Sequence, residues 1–391
     1  MIRPFFPNEE IKQEDEIFTW YEGSNFKEIL SKEQSLQIFR LLFRKRGRSE
    51  ETYLGLRSEF EKFILWLIHY SHPMSDLNVD DIIEYINFCG EPPSSWVSNL
   101  RVRRYLVSGG VNPEWRPFFV KDFDGRSKKV RRNRSQASIA RQFSFLNMLF
   151  SELVEYDLVT KNHVPKAKKE SPVVIRNTDE KPPKAFSKDY WSDLFIALES
   201  LAEKDSNFER PLFVFAVMKS CYLRVSELSD RPYWQPKFSD FYYHKGYFFL
   251  RVMGKRRKIR SVSVPDDLKP YIDRYRASRG LDQVQIEFDD APIVSKERGY
   301  GGVTQRHLRR IIKDTFINLS YEVEDAYFKV LLRNAASHWM RHTGASMDAE
   351  WRSLIDLAKE LGHEDPGTTG RRYVHSDMVQ RAKSGKDRRV F

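Results

Sequence analysis

Six ionisable side chains in the second half of this 391-residue chain are of types that together could break a phosphodiester bond. They are Arg224, Lys255, His338, Arg341, His363 and Tyr373. Cleavage without a metal ion needs positive charge on the non-bridging oxygens while five-coordinate phosphorus forms. Arginine supplies a fixed charge on a planar, two-pronged group that matches phosphate. A tyrosine hydroxyl can attack the phosphorus and retain the phosphate in a covalent intermediate.

The remaining groups meet the proton requirements of such a reaction. A tyrosine hydroxyl has an ordinary pKa of about 10, so it needs a base or neighbouring cations that stabilise the phenolate. The departing 5′ oxygen needs a proton, which a mobile lysine side chain on a hairpin can deliver. Histidine can hydrogen-bond the scissile phosphate and shuttle a proton near neutral pH.

The local sequence predicts which elements carry these residues. In CYLRVSELSD, Arg224 begins a helical segment, and Glu227, three residues on, is predicted to cap its backbone. Lys255 lies in GKRRKIRSVSVP between short β-type runs at 247–253 and 259–264, which predicts a hairpin with a basic tip. Taken alone, each candidate residue could be a structural or solvent-exposed side chain with no role in catalysis. The combination is what indicates chemistry.

A metal site is the alternative for the stretch SHWMRHTGAS. His338 and Arg341 are three residues apart, so they share a helix face. His338 and His342 have the four-residue spacing of a zinc-binding helix, but Trp339 occupies the place where a zinc protease needs glutamate. The sequence also lacks a convincing carboxylate cluster for magnesium. We therefore predict no metal site and no cofactor.

Composition narrows the class of protein. The chain has 66 Lys and Arg against 55 Asp and Glu, a net charge of +11, which favours a polyanionic partner, nucleic acid before membrane. A hydrophobic content of 40% suffices for folded cores. Two cysteines, Cys89 and Cys221, exclude a disulfide scaffold and suit a reducing cytoplasm. No apolar run approaches the roughly 20 residues of a membrane span, and no apolar signal core follows the N-terminus.

The hydrophobic pattern divides the chain into two halves joined by a polar segment. Apolar residues recur at three- and four-residue steps over 49–70, 79–89 and 136–158, which predicts helices. Residues 161–185 are polar and contain four prolines, which indicates an extended linker. We therefore predict an N-terminal segment (1–34, an arm or a short packing segment), a helical domain (35–164) with an insertion or long loop (91–135), a linker (165–183) and a second domain (184–391) with a C-terminal tail (374–391).

The ordered set Arg, Lys, His-x-x-Arg, His, Tyr resembles the tyrosine recombinase (phage integrase) family. LRVSEL resembles its first-arginine motif and GKRRKIRSVSVP its lysine hairpin. HWMRHTGAS resembles HxLRHTFA, and LGHEDPGTTGRRYVH resembles LGHxxxxTTxxYxH with one residue inserted before the tyrosine. The resemblance implies these roles: Arg224 and Arg341 clamp the phosphate, Lys255 is the general acid, His338 accepts or orients a proton, His363 is the second histidine and Tyr373 is the nucleophile.

The resemblance also implies a fold. The family has a helical core-binding domain followed by an α+β catalytic domain, and the two close around DNA as a C-shaped clamp. The stretch SQASIARQFSFLNMLFSELVEYDLVTKN is similar to the last core-binding helix and the turn after it. We therefore expect a mainly α protein with a small antiparallel sheet, with the resemblance covering most of residues 35–391.

Basic residues outside the catalytic set are candidates for DNA contacts, because they release counterions from phosphates. We predict this role for two runs, one in the insertion and one in the hairpin: Lys128, Lys129, Arg131, Arg132 and Arg134, and Arg256, Arg257 and Lys258. For the insertion, a solvated loop is the alternative.

The family resemblance implies a metal- and ATP-independent DNA strand transferase. It would act through a 3′-phosphotyrosine and a Holliday junction on a specific double-stranded site. We expect a homotetramer on DNA, a monomer or weak oligomer without it, a possible accessory directionality factor, and a cytoplasmic location at a prokaryotic nucleoid. A mobile-element integrase is the favoured role.

Three alternatives stay open: a type IB topoisomerase, a telomere-resolving hairpin enzyme, and a catalytically inactive DNA-binding protein. The tail 374–391 either docks on a neighbouring protomer or is a frayed basic end.

Overall fold

The computed structural model describes residues 2–8, 13–47, 50–125, 128–175, 184–254, 257–281, 284–363 and 367. The chain forms two compact units, Met1–Asn177 and Thr178–Phe391. Each unit has its own hydrophobic core, the first built largely from helices and the second from helices on a small sheet. The division falls within the segment that the sequence predicts to be a linker.

The first unit is helical. Its helices are α1 (Glu14–Glu22), α2 (Lys32–Arg46), α3 (Glu50–Tyr70), α4 (Val79–Phe88), α5 (Gln136–Glu155) and α6 (Val164–Glu170). Helices α3, α4 and α5 follow the predicted ones within a few residues. Helix α6 forms inside the predicted extended linker, where it buries Val164 and Ala167. It tolerates Pro165 because this residue stands in the first turn, where a missing N–H costs no hydrogen bond.

The N-terminal residues pack into the core of this first unit. Phe5 and Phe6 are buried, and their rings contact Trp20, Phe26 and Phe39. Residues 2–8 and helix α1 therefore belong to the same core as helix α2, as a packing segment would.

The predicted insertion, residues 91–135, is mostly irregular but well anchored. Two short parallel strands, β1 (Val97–Ser98) and β2 (Phe118–Phe119), pair with each other. Arg104 makes a 2.5 Å ion pair with the buried Glu61, and the Tyr105 hydroxyl donates to the carbonyl of Phe6 at 2.8 Å. These contacts fix the insertion against α3 and the N-terminal residues.

The second unit surrounds helix α8. Its helices are α7 (Lys188–Lys204), α8 (Glu209–Ser220), α9 (Val225–Leu228), α10 (Lys269–Ser278), α11 (Gln305–Glu322), α12 (Ala326–Asn334), α13 (His338–Asp348) and α14 (Leu354–Leu361). Strands β3 (Phe241–His244), β4 (Tyr247–Met253) and β5 (Ile259–Ser263) form an antiparallel sheet in the order β3-β4-β5. Strands β4 and β5 pair up to Met253 and Ile259, so the two strands on either side of residues 254–258 form a hairpin, as the sequence predicts.

Helix α13 packs closely on the C-terminal end of α8. Gly344 makes this approach possible, because a Cβ atom there would lie 2.1 Å from the carbonyl oxygen of Lys219. Directly after α8 the backbone turns through Tyr222, which has a positive φ of 50°. The close packing thus brings α13 beside the turn that leads to Arg224. In the ranges that the structure describes, no helix is both long and apolar enough to cross a bilayer.

Candidate active site

Arg341 connects three segments that the sequence analysis singled out. It lies on α13, is 3% exposed, and donates from Nη1 to the carbonyl of Tyr222 at 2.6 Å. Its Nη2 donates to the carbonyl of Leu361 at 2.5 Å. Tyr222 stands two residues before Arg224, and Leu361 two residues before His363. The backbones that carry both of these candidate residues therefore meet at one guanidinium group.

Arg224 is held at the start of α9 by Glu227. The Glu227 carboxylate accepts from the Arg224 backbone N–H at 2.8 Å and from its Nη1 at 3.0 Å. The cap predicted from the three-residue spacing is therefore present. The Arg224 side chain is 26% exposed, whereas that of Glu227 is fully buried.

Glu227 is a buried anion among three arginines. Burial by itself raises the pKa of its carboxyl, but the hydrogen bonds and charge of Arg260 and the charges of Arg341 and Arg224 outweigh that effect and lower it. Ionised Glu227 thus offsets part of the positive charge that the arginines concentrate here.

The two candidate histidines stand at helix ends. His338 is exposed at the first position of α13, and its ring lies 6.3 Å from that of His342 between centroids. His363 follows Gly362, which ends α14 in the left-handed conformation at φ 65°. The His363 backbone N–H then donates to the carbonyl of Ala358 at 2.9 Å, which fixes the chain as it leaves the helix.

The lysine hairpin is described only at its base. The Gly254 N–H donates to the carbonyl of Lys258 at 2.8 Å and closes the turn. Arg257 has a φ of 59° and lies 4.5 Å from the ring centroid of Tyr233. Three predicted residues lie outside the described part of the chain: Lys255, Arg256 and Tyr373.

A second hydrogen-bond network, which the sequence analysis missed, surrounds Glu360 of α14. Its Oε1 accepts from the Ser263 N–H at 3.2 Å and also from the Ser263 hydroxyl. Its Oε2 accepts from Arg352 Nη1 at 2.6 Å. The residues that pair here lie up to 97 positions apart, so no local spacing indicates them.

Tyr222 is the last member of this network, which it joins through Arg352. Its hydroxyl is unsuited to attack a phosphate. Its hydroxyl donates to Asp348 and accepts from Arg352 Nη1 at 3.0 Å. Burial and the contact with Asp348 raise the pKa of this phenol well above its ordinary value. Tyr222 thus serves as a buried structural donor.

The basic run of the insertion divides into two groups. Three of its residues are exposed: Lys128, Lys129 and Arg131. The other two contact the first unit itself. Arg132 donates to the carbonyl of Cys89 at 2.9 Å and lies 4.7 Å from the ring centroid of Phe118. Arg134 donates to Gln142 at 2.9 Å, and burial lowers the pKa of its guanidinium.

An exposed basic face on α11 is a further feature that the sequence analysis missed. Its members recur at three- and four-residue steps: Arg306, Arg309, Arg310 and Lys313. Leu308, Ile311 and Ile312 of the same helix are buried. The stretch QRHLRRIIKD shows this amphipathic spacing, so the sequence carried a signal for it.

One group of side chains in the described ranges has the composition of a metal site. The candidate ligand atoms of His72, Asp81 and Glu84 all lie within 4.8 Å of one another. They belong to the first unit, at the corner between α3 and α4, and Asp81 already accepts from the Asn78 N–H at 2.8 Å as part of the α4 cap. None of the six candidate catalytic residues belongs to this group.

Comparison with known proteins finds similar structures but no similar sequences. No protein-family model matches the sequence, and no curated protein matches it significantly. The XerH site-specific recombinase, in a post-cleavage complex with a palindromic difH substrate, aligns over 99% of this chain and 99% of its own, with a TM-score of 0.59 and 14% identity. The Tn1549 transposon integrase, in complex with transposon right end DNA, aligns over 89% of this chain and 98% of its own, with a TM-score of 0.54 and 14% identity.

These alignments extend over both units. They confirm the mainly helical architecture with a small antiparallel sheet that the motifs predicted. The chain has the fold of the tyrosine recombinases.

Proposed function

We propose that this chain is a site-specific tyrosine recombinase that cleaves and rejoins DNA. The observation that supports this most is the pair of hydrogen bonds from Arg341, which join the backbones leading to Arg224 and His363. The motif matches at all six positions add to it. So do the two similar structures, because both are recombination proteins in complex with DNA.

In this mechanism, Arg224 and Arg341 stabilise the charge on the scissile phosphate. The buried location of Arg341 strengthens the effect, because charges interact more strongly away from water. Glu227 orients Arg224 through two hydrogen bonds and offsets the local excess of positive charge.

The bond changes follow a transesterification. The Tyr373 oxygen attacks phosphorus, its proton passes to a histidine, and the bond from phosphorus to the 5′ oxygen breaks. Lys255 donates a proton to that oxygen, which leaves a 3′-phosphotyrosine and a free 5′-hydroxyl. Attack by another 5′-hydroxyl reverses the steps. The number of phosphodiester bonds is conserved, so the scheme needs no ATP hydrolysis. The two arginines supply the positive charge that cleavage without a metal ion requires.

Four protomers on two duplexes would exchange strands in two rounds through a Holliday junction. We propose the exposed faces of α11 and of residues 128–131 as DNA contacts.

The biological role proposed is integration and excision of a mobile element in a prokaryotic nucleoid, with an accessory factor setting direction. The tail 374–391 would couple neighbouring protomers; deletion of 378–391 should then abolish ordered strand exchange while cleavage by single protomers persists.

Covalent trapping on nicked DNA tests the catalytic proposal. The probe is a library of 60-base-pair duplexes with a randomised core and random single-strand nicks, because loss of a short strand beyond the cleaved phosphate makes the adduct irreversible. Native protein should form a denaturation-resistant adduct, and sequencing of the trapped DNA identifies the site. Tyr373→Phe should form none. An adduct that persists in this variant would remove Tyr373 as the nucleophile, and no adduct with native protein would refute the recombinase.

Product topology distinguishes the rival enzymes. On the selected duplex, exchange between two DNA molecules is expected. Relaxation of supercoiled plasmid without a preferred sequence would indicate a topoisomerase, and closed hairpin ends would indicate a telomere-resolving enzyme.

A further inference from the structure

Arg260 of strand β5 contacts two residues that hold the candidate site: Glu227, which binds Arg224, and Glu360, which lies at the helix end before His363. We call these two connections the arms of the site. The Nη1 and Nη2 of Arg260 donate to the two carboxylate oxygens of Glu227 at 2.7 and 3.0 Å. Its Nε donates to the carbonyl of Glu360 at 2.7 Å. We propose that Arg260 is a positioning residue that holds the phosphate-clamping Arg224 and the second histidine, His363, in the positions they need for cleavage. This inference rests on the proposed recombinase function and adds a residue to it.

The first arm passes through Glu227. This carboxylate is fully buried and holds both the backbone N–H and the Nη1 of Arg224. A carboxylate with two oxygens engaged by one planar guanidinium has a fixed orientation. Arg260 therefore determines where Glu227 directs its bonds to Arg224.

The second arm passes through the end of α14. The Glu360 carbonyl lies three residues before His363, in the last turn of the helix. The Glu360 carboxylate accepts from the N–H of Ser263, which is also in β5. Two residues of one strand thus hold the helix end from which His363 emerges.

Two glycines leave the space that the Arg260 side chain occupies. A Cβ at Gly254 would lie 3.0 Å from Arg260 Nη1, and one at Gly362 would lie 3.3 Å from its Cδ. Gly362 is also required by its positive φ, but Gly254 has an ordinary backbone. A side chain at position 254, immediately before Lys255, would therefore have to displace the Arg260 guanidinium, and it would also touch the Glu227 carboxylate at 3.4 Å.

Lysine cannot reproduce this arrangement. It has one ammonium group, whereas Arg260 uses three nitrogens of a rigid plane in two directions. Arg260→Lys keeps the positive charge beside Glu227 and removes the geometry. The substitution therefore separates positioning from charge balance.

The experiment measures single-turnover formation of the covalent adduct by Arg260→Lys on the selected nicked duplex. Displacement of reacting groups by an ångström costs roughly 10²-fold in rate, so we expect a loss of about that size with DNA affinity within about twofold of native. The matched control is Arg274→Lys. Arg274 also makes a two-pronged ion pair, with Glu209, in the same unit but on α10. Its side chain is more exposed than that of Arg260, so this variant should lower thermal stability by no more than Arg260→Lys does, and it should cleave like native protein.

A second substrate distinguishes a positioning defect, transmitted through Glu227 and Glu360, from a defect in proton donation by Lys255. In it, sulfur replaces the bridging 5′ oxygen, so the leaving group departs as a thiolate and needs no proton. Arg260→Lys should be slowed equally on both substrates. Recovery on the sulfur substrate would overturn the inference, because the defect would then lie in delivery of the proton by Lys255. Native cleavage rates in Arg260→Lys would overturn it too. If native protein forms no adduct, the proposed function fails and this inference with it.

Discussion

The guanidinium of Arg341 donates to the carbonyl of Tyr222 at 2.6 Å, across 119 positions of sequence. This bond and the one to Leu361 fix the orientation of a buried charge before any substrate is present. Preorganised charge of this kind stabilises a transition state without the cost of reorientation.

We therefore predict that Arg341→Ala lowers the rate of adduct formation by roughly 10²–10³-fold or more. Arg224→Ala should do the same, whereas DNA affinity should change little because many other phosphate contacts remain. Rapid-quench cleavage assays and binding titrations on the same duplex measure the two quantities. Affinity that falls in step with cleavage would argue against a role in the transition state.

Gly344→Ala should destabilise the second unit. Alanine favours helices over glycine by about 1 kcal/mol, but a Cβ at this position would lie 2.1 Å from the Lys219 carbonyl. The overlap forces α13 away from α8, and overpacking of this type costs about 1–3 kcal/mol. Thermal unfolding should show a lower Tm for the variant.

The control for this prediction is Gly110→Ala, since no atom lies within 4 Å of a Cβ at Gly110. That substitution should leave the Tm within about a degree of native. A Gly344→Ala protein as stable as native would mean that the two helices tolerate separation.

The buried anion Glu227 predicts a pH dependence of stability. Its folded-state pKa is lowered, since its arginine partners outweigh the effect of burial. A carboxyl of this kind contributes stability that is present above its unfolded pKa of about 4.3 and is lost as the pH falls below it. Thermal melts between pH 7 and pH 3.5 should therefore show a steeper acid loss for native protein than for Glu227→Gln. Parallel curves for the two proteins would contradict the ion-pair assignment.

The sequence predicted the local features of the site better than its long-range contacts. The cap between Arg224 and Glu227 follows from a three-residue spacing, and helices α3 and α5 follow from repeated apolar steps. Arg260 and Glu360, by contrast, lie 100 positions apart, and only the folded chain brings them together.

Short elements also escaped prediction. Helix α1 has nine residues and buries two of them, Ile17 and Tyr21, which is too few to establish a period. Helix α6 carries a proline that in isolation favours an extended linker. Tertiary packing decides the structure of such segments.

The exposed basic face of α11 should contribute to DNA affinity. Each arginine that neutralises a phosphate adds about one to the slope of log affinity against log salt concentration. The double variant Arg306→Ala/Arg310→Ala should therefore weaken binding and reduce the slope of log affinity against log salt by about two. Lys188→Ala/Lys204→Ala, which removes the same charge from α7, is the control and should change the slope little. Equal effects of both pairs would indicate only a loss of net charge.

The two groups of basic residues in the insertion should behave in opposite ways. Arg132→Ala removes the donor to the Cys89 carbonyl and the contact with the Phe118 ring, so it should lower the Tm of the first unit. It should leave the salt dependence of DNA binding nearly unchanged. Lys129→Ala/Arg131→Ala removes exposed charges, so it should reduce that dependence while the Tm stays close to native. Unfolding and salt-titrated binding, measured on both variants, test the division. If Arg132→Ala reduces the salt slope without lowering the Tm, its guanidinium contacts DNA rather than the core.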